Sequence, residues 1–286
     1  MIVRPMERRD LAATGALLHD AFRSAALEHG APPAWRDVAE ATALAEQYFE
    51  EPEGAIAAES GGALMGVGFA RRRGEVATLG PIAAAVPGRG TGGKLLDELI
   101  VRAEHWGVHS MRLYQDGWNP ASFALYASRS FAAVDTVAAI ERPALAPPRL
   151  DSSRGLEVAP LRPGDLVELS ALDHRLTGLE RPADLGANVR LVARRRGAIV
   201  GFAGGAGNTL GPVVALDVAD LGALVARLLP DVAGVATGRL STATPTAMLA
   251  MLALGFRVTA VGTVMVRGVA PPARPPQLYG VRPEIL

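Results

Sequence analysis

Hydrophobic positions along the first half of the chain recur at spacings that predict helices and strands in alternation. Asp10 stands before Leu11, Leu18 and Phe22, whose near-helical spacing predicts a helix with Asp10 as its N-cap and Gly30 just past its end. The other predicted elements are a helix over about 35–49, a hairpin turning at 60–62, a strand at 76–86, a helix after 93, a strand at 110–115, a helix at 120–128 and a strand at 134–140. This order predicts an α/β fold in layers.

The second half of the chain repeats short stretches of the first half. The segment T-L-G-P-I-A-A at 78–84 returns as T-L-G-P-V-V-A at 209–215, and N-P-A-S-F-A-L-Y-A-S-R-S-F at 119–131 aligns with T-P-T-A-M-L-A-M-L-A-L-G-F at 244–256. Alanine, glycine and leucine are common here, so single short matches arise easily. Because several matches occur in the same order, we expect a duplicated fold.

A proline-rich stretch at 141–148 has the composition of a linker between the two copies. The sequence therefore predicts a first domain at residues 1–142, a linker at 143–155, a degenerate second domain at 156–268 and a proline-rich tail at 269–286.

Composition narrows the class of protein. Of 286 residues, 49% are hydrophobic and 20% charged, which suits a packed core, and the 29 basic and 29 acidic residues balance, so no nucleic-acid partner is expected. The chain has no cysteine, which excludes disulfides, a cysteine nucleophile and thiolate metal sites. The start lacks an apolar signal core, and glycines interrupt the longest uncharged run, at 197–216. We expect a cytoplasmic protein without a membrane partner.

A glycine-rich segment, V-P-G-R-G-T-G-G-K-L-L, begins at Val86 and fits three phosphate-binding patterns. Gly88, Gly90 and Gly93 form the dinucleotide fingerprint G-x-G-x-x-G, and G-x-x-x-x-G-K is most of a P-loop. Gly90 and Gly92 also form the x-x-G-x-G turn that holds the pyrophosphate of coenzyme A. A flexible surface turn is the alternative to all three.

The residues around the segment weaken two of these interpretations. Leu95 follows the lysine where a P-loop needs a hydroxyl for magnesium. The dinucleotide fold needs an acidic residue about 20 residues on, and Asp116 comes later than that.

The stretch at 119–131 supports the third interpretation, because it resembles the N-x-x-(A/S)-x-x-L-Y-x-x-x-G-F motif of the GCN5-related N-acetyltransferases (GNAT). The segment at 87–96 resembles the pyrophosphate turn of that family, and the two motifs stand in the family's order, separated by one helix and one strand. The resemblance covers about residues 1–140. The second half resembles a degenerate copy, so the chain looks like a tandem acetyltransferase. The resemblance implies two GNAT-like domains, each with a mixed, mostly antiparallel sheet flanked by helices.

The resemblance also implies a cosubstrate and a set of residues that bind it. Acetyl-CoA is the expected cosubstrate, and its pantetheine arm and acetyl carbonyl would meet the backbone of Ile82 and Ala84. The pyrophosphate would meet backbone N–H groups at the start of a helix. The expected cofactor-binding residues are Ile82, Ala84, Gly88, Arg89, Gly90, Thr91, Gly92, Gly93, Lys94, Asn119 and Ser122.

Tyr126 is the general acid that the resemblance implies. The ordinary pKa of a phenol, near 10, keeps a tyrosine protonated at neutral pH, so its proton is available to a departing thiolate. By itself, a tyrosine on an apolar helix face belongs to the core more often. Asn119 either caps the following helix or contacts the cofactor. No residue stands out as the general base, and the candidates are Glu28, His29, Glu75 and Asp116.

Two positions depart from the family pattern, and the second copy departs further. Pro87 replaces a glutamine or arginine and offers no N–H to the phosphates, and Ser130 replaces a glycine. In the second copy Met251 stands for Tyr126, Thr244 stands for Asn119, and 213–222 lacks the glycines. Polar groups at 173–175 and 180–181 could meet an acceptor or form a solvated face.

These observations predict an acetyl-CoA-dependent N-acetyltransferase whose active site lies in the first half. Its partner is a small-molecule or peptide amine acceptor, which the sequence does not identify, and the chain is expected to be a monomer or homodimer. No metal is expected, because Gly107 interrupts the spacing between His105 and His109 and no glutamate follows His105. A non-catalytic acyl-CoA-binding or sensor protein is the alternative, and a nucleotide-binding protein is a third.

Overall fold

The computed structural model of the chain describes residues 1–144, 146, 155–272 and 275–279, which fall into two compact units. The first unit comprises residues 1–132 and 266–269. The second comprises 133–265 and 270–286, as far as these are described.

The first unit is a mixed sheet covered by helices. Its elements, in chain order, are β1 (Ile2–Pro5), α1 (Leu11–Glu28), α2 (Val38–Phe49), β2 (Ala55–Ser60), β3 (Ala63–Arg73), β4 (Val76–Ala84), α3 (Thr91–His105), β5 (Ser110–Asp116) and α4 (Pro120–Ala127). The strands lie in the order β1-β2-β3-β4-β5, antiparallel except for the parallel pair of β4 and β5. Residues 266–269 continue this sheet beyond β5, where the Val269 N–H donates to the His109 carbonyl at 3.0 Å.

Apolar side chains pack on both sides of this sheet. Helices α1 and α2 bury residues such as Leu18 and Tyr48 against Phe69 of β3. Helix α3 turns its apolar stripe to the sheet, and the stripe consists of Leu95, Leu96, Leu99, Ile100 and Ala103, all buried, as their helical spacing predicts.

The second unit repeats this arrangement. Its elements are β6 (Ala132–Arg142), β7 (Leu156–Pro160), α5 (Leu166–Thr177), α6 (Pro182–Asn188), β8 (Val189–Arg195), β9 (Ala198–Ala206), β10 (Thr209–Ala215), α7 (Val218–Leu228), β11 (Ala236–Ser241), α8 (Pro245–Ala253), β12 (Arg257–Gly268) and β13 (Gln277–Leu278). The strand order is β12-β6-β11-β13-β10-β9-β8-β7. The predicted α/β class, with mostly antiparallel strands flanked by helices, is confirmed.

The predicted elements of the first half all form, with small differences at their ends. Helix α2 begins at Val38 and not at 35, because the carboxylate of Asp37 accepts the Glu40 N–H at 2.9 Å and caps it. The expected cap of α1 is wrong in one respect. Asp10 stands at the right position, but its carboxylate accepts from the Arg4 guanidinium at 2.7 Å and from the Glu7 N–H at 2.8 Å, and it does not cap α1.

The compact units differ from the two sequence copies at one strand each. Strand β6 ends the first copy, yet it pairs with β11 in the second unit. The last residues of β12, which ends the second copy, belong to the first unit. Most of β6 and the last residues of β12 therefore lie in the unit of the other copy. The division into residues 1–142 and 156–268 stays a prediction about the sequence copies.

Two predicted segments lie partly outside the described residues. Of the linker at 143–155, the structure describes residues 143, 144, 146 and 155. Of the tail at 269–286, it describes 269–272 and 275–279, and the second of these stretches contains β13.

Candidate functional site

In the first unit, β4 and β5 pair only over a short distance and then separate. The described pairing joins Val76–Thr78 to Ser110–Arg112. Beyond it, the register of β4 against β3 shifts at Gly80 and Pro81, so that β4 bulges where it leaves β5. Gly80 has φ +123°, a conformation that favours glycine, and Pro81 has no N–H for a ladder. The result is an open slot between the ends of the two strands.

The backbone groups of Ile82 and Ala84 face this slot. The Ala85 N–H donates to the Met65 carbonyl of β3 at 2.9 Å, and the backbone groups of successive residues in a strand point to alternate sides. Those of Ala83 therefore point toward β3, and those of Ile82 and Ala84 point toward β5. Both side chains are half-buried, whereas Ala83 is buried. The structure thus places the backbone groups of these two residues on the unpaired edge of β4, and their contact with a cofactor stays a prediction.

The glycine segment forms an exposed loop that leads into α3. Residues 85–90 are all exposed. Gly88 has φ +74° and Gly90 has φ +78°, and nothing lies within 4 Å of where their β-carbons would be. Glycine is therefore needed here for the backbone conformation and not for space. The loop brings the free N–H groups of the first turn of α3 to the surface, next to the slot.

The other predicted residues of this segment are Arg89, Thr91 and Lys94, and they differ in exposure. Arg89 and Lys94 are exposed, and the Lys94 N–H already donates to the Gly90 carbonyl at 3.1 Å. The Thr91 side chain is buried, and its hydroxyl lies 3.4 Å from the Met1 sulfur.

Gly92 packs against Leu125 of α4, and Gly93 packs against Arg129, two residues beyond the end of that helix. A β-carbon at Gly93 would stand 2.9 Å from the Nη2 atom of Arg129, whose guanidinium is held by Asp97 at 3.0 Å. The hydrogen bonds that the guanidinium donates to Asp97 raise the pKa of Arg129. Sequence reasoning missed this cation beside the loop, because no pattern links residue 129 to residue 97.

Asn119 and Ser122 form the start of α4. The Asn119 side-chain oxygen accepts the Ser122 N–H at 3.0 Å, and the Ser122 hydroxyl donates to the Asn119 carbonyl at 2.9 Å. The buried Gln115 amide donates to that carbonyl at 2.7 Å, which ties α4 to β5. Of the two roles expected for Asn119, the helix cap is the one that forms, and a cofactor contact by either residue stays a prediction.

Tyr126 lies on α4, half-buried, with its ring 6.3 Å from that of Phe131. Burial and the charge of Asp116, which ends β5, raise the pKa of Tyr126 to about 12. The phenol therefore keeps its proton throughout the neutral range. The same shift makes it a weaker acid, so its proton transfer to a thiolate of ordinary pKa is uphill.

Three of the four candidate bases lie at or beside the open end of the slot. Asp116 ends β5, and His29, which follows Glu28 at the end of α1, packs its ring 5.7 Å from Trp118. Glu75 precedes β4 and pairs with His109 at 3.3 Å, so it stands at the opposite end of the strand, roughly 30 Å from Ala84. The structure therefore removes Glu75 from the set of candidates.

The second unit lacks an exposed loop at the corresponding place in its described residues. Asp217 caps α7 by accepting the Asp220 N–H at 2.8 Å, and Arg195 donates to both carboxylates. Met251 is fully buried in the core. The sequence predicts that the polar groups at 173–175 and 180–181 meet an acceptor or form a solvated face. For Asp173 and Arg181 this prediction is wrong, because the two side chains form a buried ion pair at 2.8 Å.

No helix in the described part of the chain is long and apolar enough to cross a bilayer. The described residues also contain no group of three or more histidine and carboxylate side chains that could hold a metal. That no metal takes part stays a prediction.

Comparisons with known proteins show which family and fold the chain resembles. Residues 18–131 match the model of the acetyltransferase (GNAT) family. No curated protein matches the chain. Among solved structures, a candidate acetyltransferase from Pyrococcus horikoshii aligns with 99% of this chain and 95% of its own, with a TM-score of 0.78 and 17% identity.

Two further structures align over nearly the full length. A GCN5-related N-acetyltransferase from Sphaerobacter thermophilus covers 96% of this chain and 98% of its own, with a TM-score of 0.70 and 14% identity. A tandem GNAT protein from the clavulanic acid biosynthesis pathway covers 94% and 99%, with a TM-score of 0.60 and 15% identity. At such identities these likenesses show a shared fold.

Proposed function

We propose that the chain, whose residues 18–131 match the acetyltransferase (GNAT) family model, is an acetyl-CoA-dependent N-acetyltransferase with its active site in the first unit. The family is one of acetyltransferases, so acetyl-CoA is the cosubstrate that it implies. The acetyl group moves to a primary amine, and the acceptor is a small molecule or a peptide.

One observation carries the proposal, namely the slot between β4 and β5 and its position beside the glycine loop. The backbone of Ile82 and Ala84 offers hydrogen bonds to the amides of a pantetheine arm and to the thioester carbonyl. The loop from Gly88 to Gly93 offers N–H groups and the positive end of α3 to a pyrophosphate. A single extended cofactor can meet both features at once.

The reaction needs one proton donor and one proton acceptor beside the slot. A neutral amine attacks the thioester carbonyl carbon, the C–S bond breaks, and the thiolate takes a proton from Tyr126. Asp116 is the base that we put forward to take the proton which the amine nitrogen loses, either directly or through a water. It ends β5 and lies close enough to Tyr126 for its charge to raise the pKa of the phenol.

A non-catalytic acyl-CoA-binding or sensor protein is the second candidate, and Pro87 is the observation that favours it. Proline has no N–H, so the loop has one fewer donor for the phosphates. In this case the chain would bind acetyl-CoA and release no thiol with any amine. Cytoplasmic location, a monomeric or homodimeric state, and the absence of nucleic-acid and membrane partners stay predictions.

A thermal-shift experiment separates these functions, because only a ligand that binds the native state raises the unfolding temperature. We expect stabilisation by acetyl-CoA and none by ATP or NAD. A panel of primary amines, followed by release of free thiol from acetyl-CoA, then separates the enzyme from the sensor. Stabilisation by ATP or NAD without stabilisation by acetyl-CoA would refute the proposal.

A further inference from the structure

The second unit contains the same strand separation as the first, but there the slot is filled. Strands β10 and β11 are parallel and pair at Thr209 and Thr237. As in the first unit, a register shift follows at a Gly-Pro pair, where Gly211 has φ +131°, and β10 then moves away from β11. Strand β13 lies between the two separated ends and is antiparallel to both.

The filling segment bonds to both edges of the slot. Leu278 pairs with Val213 of β10 on one side and with Leu240 of β11 on the other. The Ala215 N–H donates to the Pro276 carbonyl at 3.2 Å, and the Tyr279 N–H donates to the Arg239 carbonyl at 2.8 Å.

Ala215 is the counterpart of Ala84 in the repeated T-L-G-P segment, whose backbone groups face the open slot of the first unit. The segment thus takes up the hydrogen-bonding position that the first unit leaves available to a ligand.

The segment is held by side chains as well as by backbone. All five residues from Pro275 to Tyr279 are buried, and the Leu278 side chain is fully enclosed. A β-carbon at Gly238 would stand 2.7 Å from the Leu278 Cδ2 atom, so the absence of a side chain at 238 makes room for the leucine. In the repeat, the first unit has Leu113 at this position.

A buried polar cluster holds the end of the segment. The carboxylate of Asp135 accepts the hydroxyl of Tyr279 at 2.5 Å and that of Ser241 at 2.6 Å. Ser241 ends β11 and also accepts the Ala243 N–H at 3.3 Å. Burial and the Asp135 charge raise the pKa of Tyr279 well above its usual range, so the phenol stays a hydrogen-bond donor.

We infer that the second unit is a peptide-binding site whose ligand is this chain's own segment Pro275–Tyr279, inserted as an added strand between β10 and β11. The segment pairs the backbone edges that the strand separation would leave bare, and it closes the slot to any other extended ligand. The carboxylate of Asp217 meanwhile occupies the N-terminus of α7, where an anion would otherwise bind. That the segment fills the slot is independent of the proposed function. Only the parallel between the segment and a cofactor in the first unit's slot rests on the proposed function.

Hydrogen exchange of the intact chain tests the inference without any variant. Peptides that cover Gln277–Tyr279 should exchange more than about 100-fold slower than an unstructured peptide, because these residues lie in a sheet. Exchange at the unstructured rate would overturn the inference. Failure of acetyl-CoA to bind would refute the proposed function and would leave this result unaffected.

Substitutions in the full-length chain provide the second arm. Leu278→Asp should speed exchange at least about tenfold in β10 and β11 and leave β2 to β4 unchanged. Leu249→Asp is the matched control, since it makes the same substitution at an exposed leucine of α8 and should have no such effect on β10 and β11. If Leu278→Asp does not fold, Tyr279→Phe, which removes only the bond to Asp135, should speed exchange in Gln277–Tyr279. Unchanged exchange in a folded Leu278→Asp, or in Tyr279→Phe, would overturn the inference.

Discussion

Gly238 lies against Leu278 so closely that a β-carbon on the glycine would stand 2.7 Å from the Leu278 Cδ2 atom. Real β-carbons do not approach neighbours at that distance, and Leu278 is fully buried, so it cannot turn away to solvent. The small residue on β11 and the large one on β13 are therefore complementary. This pair packs β13 against its neighbour β11 inside the second unit's sheet.

Gly238→Ala should destabilise the second unit by about 1–3 kcal/mol, the usual cost of overpacking a core. Denaturant unfolding measures the change. Leu278→Ala removes the clashing methyl groups. The double variant should therefore lose less unfolding free energy than the two single variants lose together, with a coupling of roughly 0.5–3 kcal/mol. Strict additivity of the two substitutions would contradict the contact.

Tyr126→Phe should lower kcat by about 10²–10⁴-fold, the range for a positioned general acid, and should change acetyl-CoA binding little. Tyr48→Phe is a matched control in the same unit, because the Tyr48 hydroxyl is buried and has no hydrogen-bond partner in the described part of the chain. It should leave kcat unchanged. An unaltered kcat in Tyr126→Phe, with chemistry rate-limiting, would remove Tyr126 from the mechanism.

The raised pKa of Tyr126 gives a separate prediction about pH. A general acid works in its protonated form, so activity that depends on Tyr126 is lost only as pH rises through about 12. An ordinary tyrosine would give a loss near pH 10. We therefore expect the kcat profile of the wild type to show no loss from this group up to roughly pH 10. A basic limb below pH 10 that disappears in Tyr126→Phe would contradict the assignment.

Asp173→Asn should destabilise the second unit by about 3–5 kcal/mol, because it leaves the Arg181 guanidinium buried without its charged partner. The more exposed pair of Glu141 and Arg257 supplies the control. Glu141→Gln should cost less than about 1 kcal/mol, since exposed ion pairs contribute little. Equal losses of unfolding free energy in the two variants, measured by urea denaturation, would contradict this account.

The sequence predicts the local features of this fold well. Helix α3 and its buried stripe follow from the spacing of apolar residues, and the left-handed loop before it follows from Gly88 and Gly90. The pattern at 134–140 predicts a strand correctly, but it does not predict that this strand pairs with β11. Local patterns specify an element, and they do not specify which of two copies of the same fold supplies its neighbour.

Contacts that no local sequence pattern marks account for the parts of the structure that the sequence does not predict. The segment around Gln277 is flanked by prolines and has the composition of a tail, yet it forms a strand because β10 and β11 offer bare edges on both sides. Asp173 and Arg181 are typical surface residues by type, and they are buried because each neutralises the other. The strand partners of Gln277 lie far away in the sequence, whereas Asp173 and Arg181 are only eight residues apart and no periodic pattern marks them as a pair.

The central claim is that one unit binds the cofactor and the other cannot, and calorimetric titration of the full-length chain with coenzyme A tests it most directly. We predict one site per chain. Gly90→Asp should abolish that site by placing a negative charge in the loop, whereas Gly107→Asp should retain it, because Gly107 has a similar φ of +70° but follows the far end of α3. Two sites per chain, no site at all, or wild-type binding in Gly90→Asp would contradict the account.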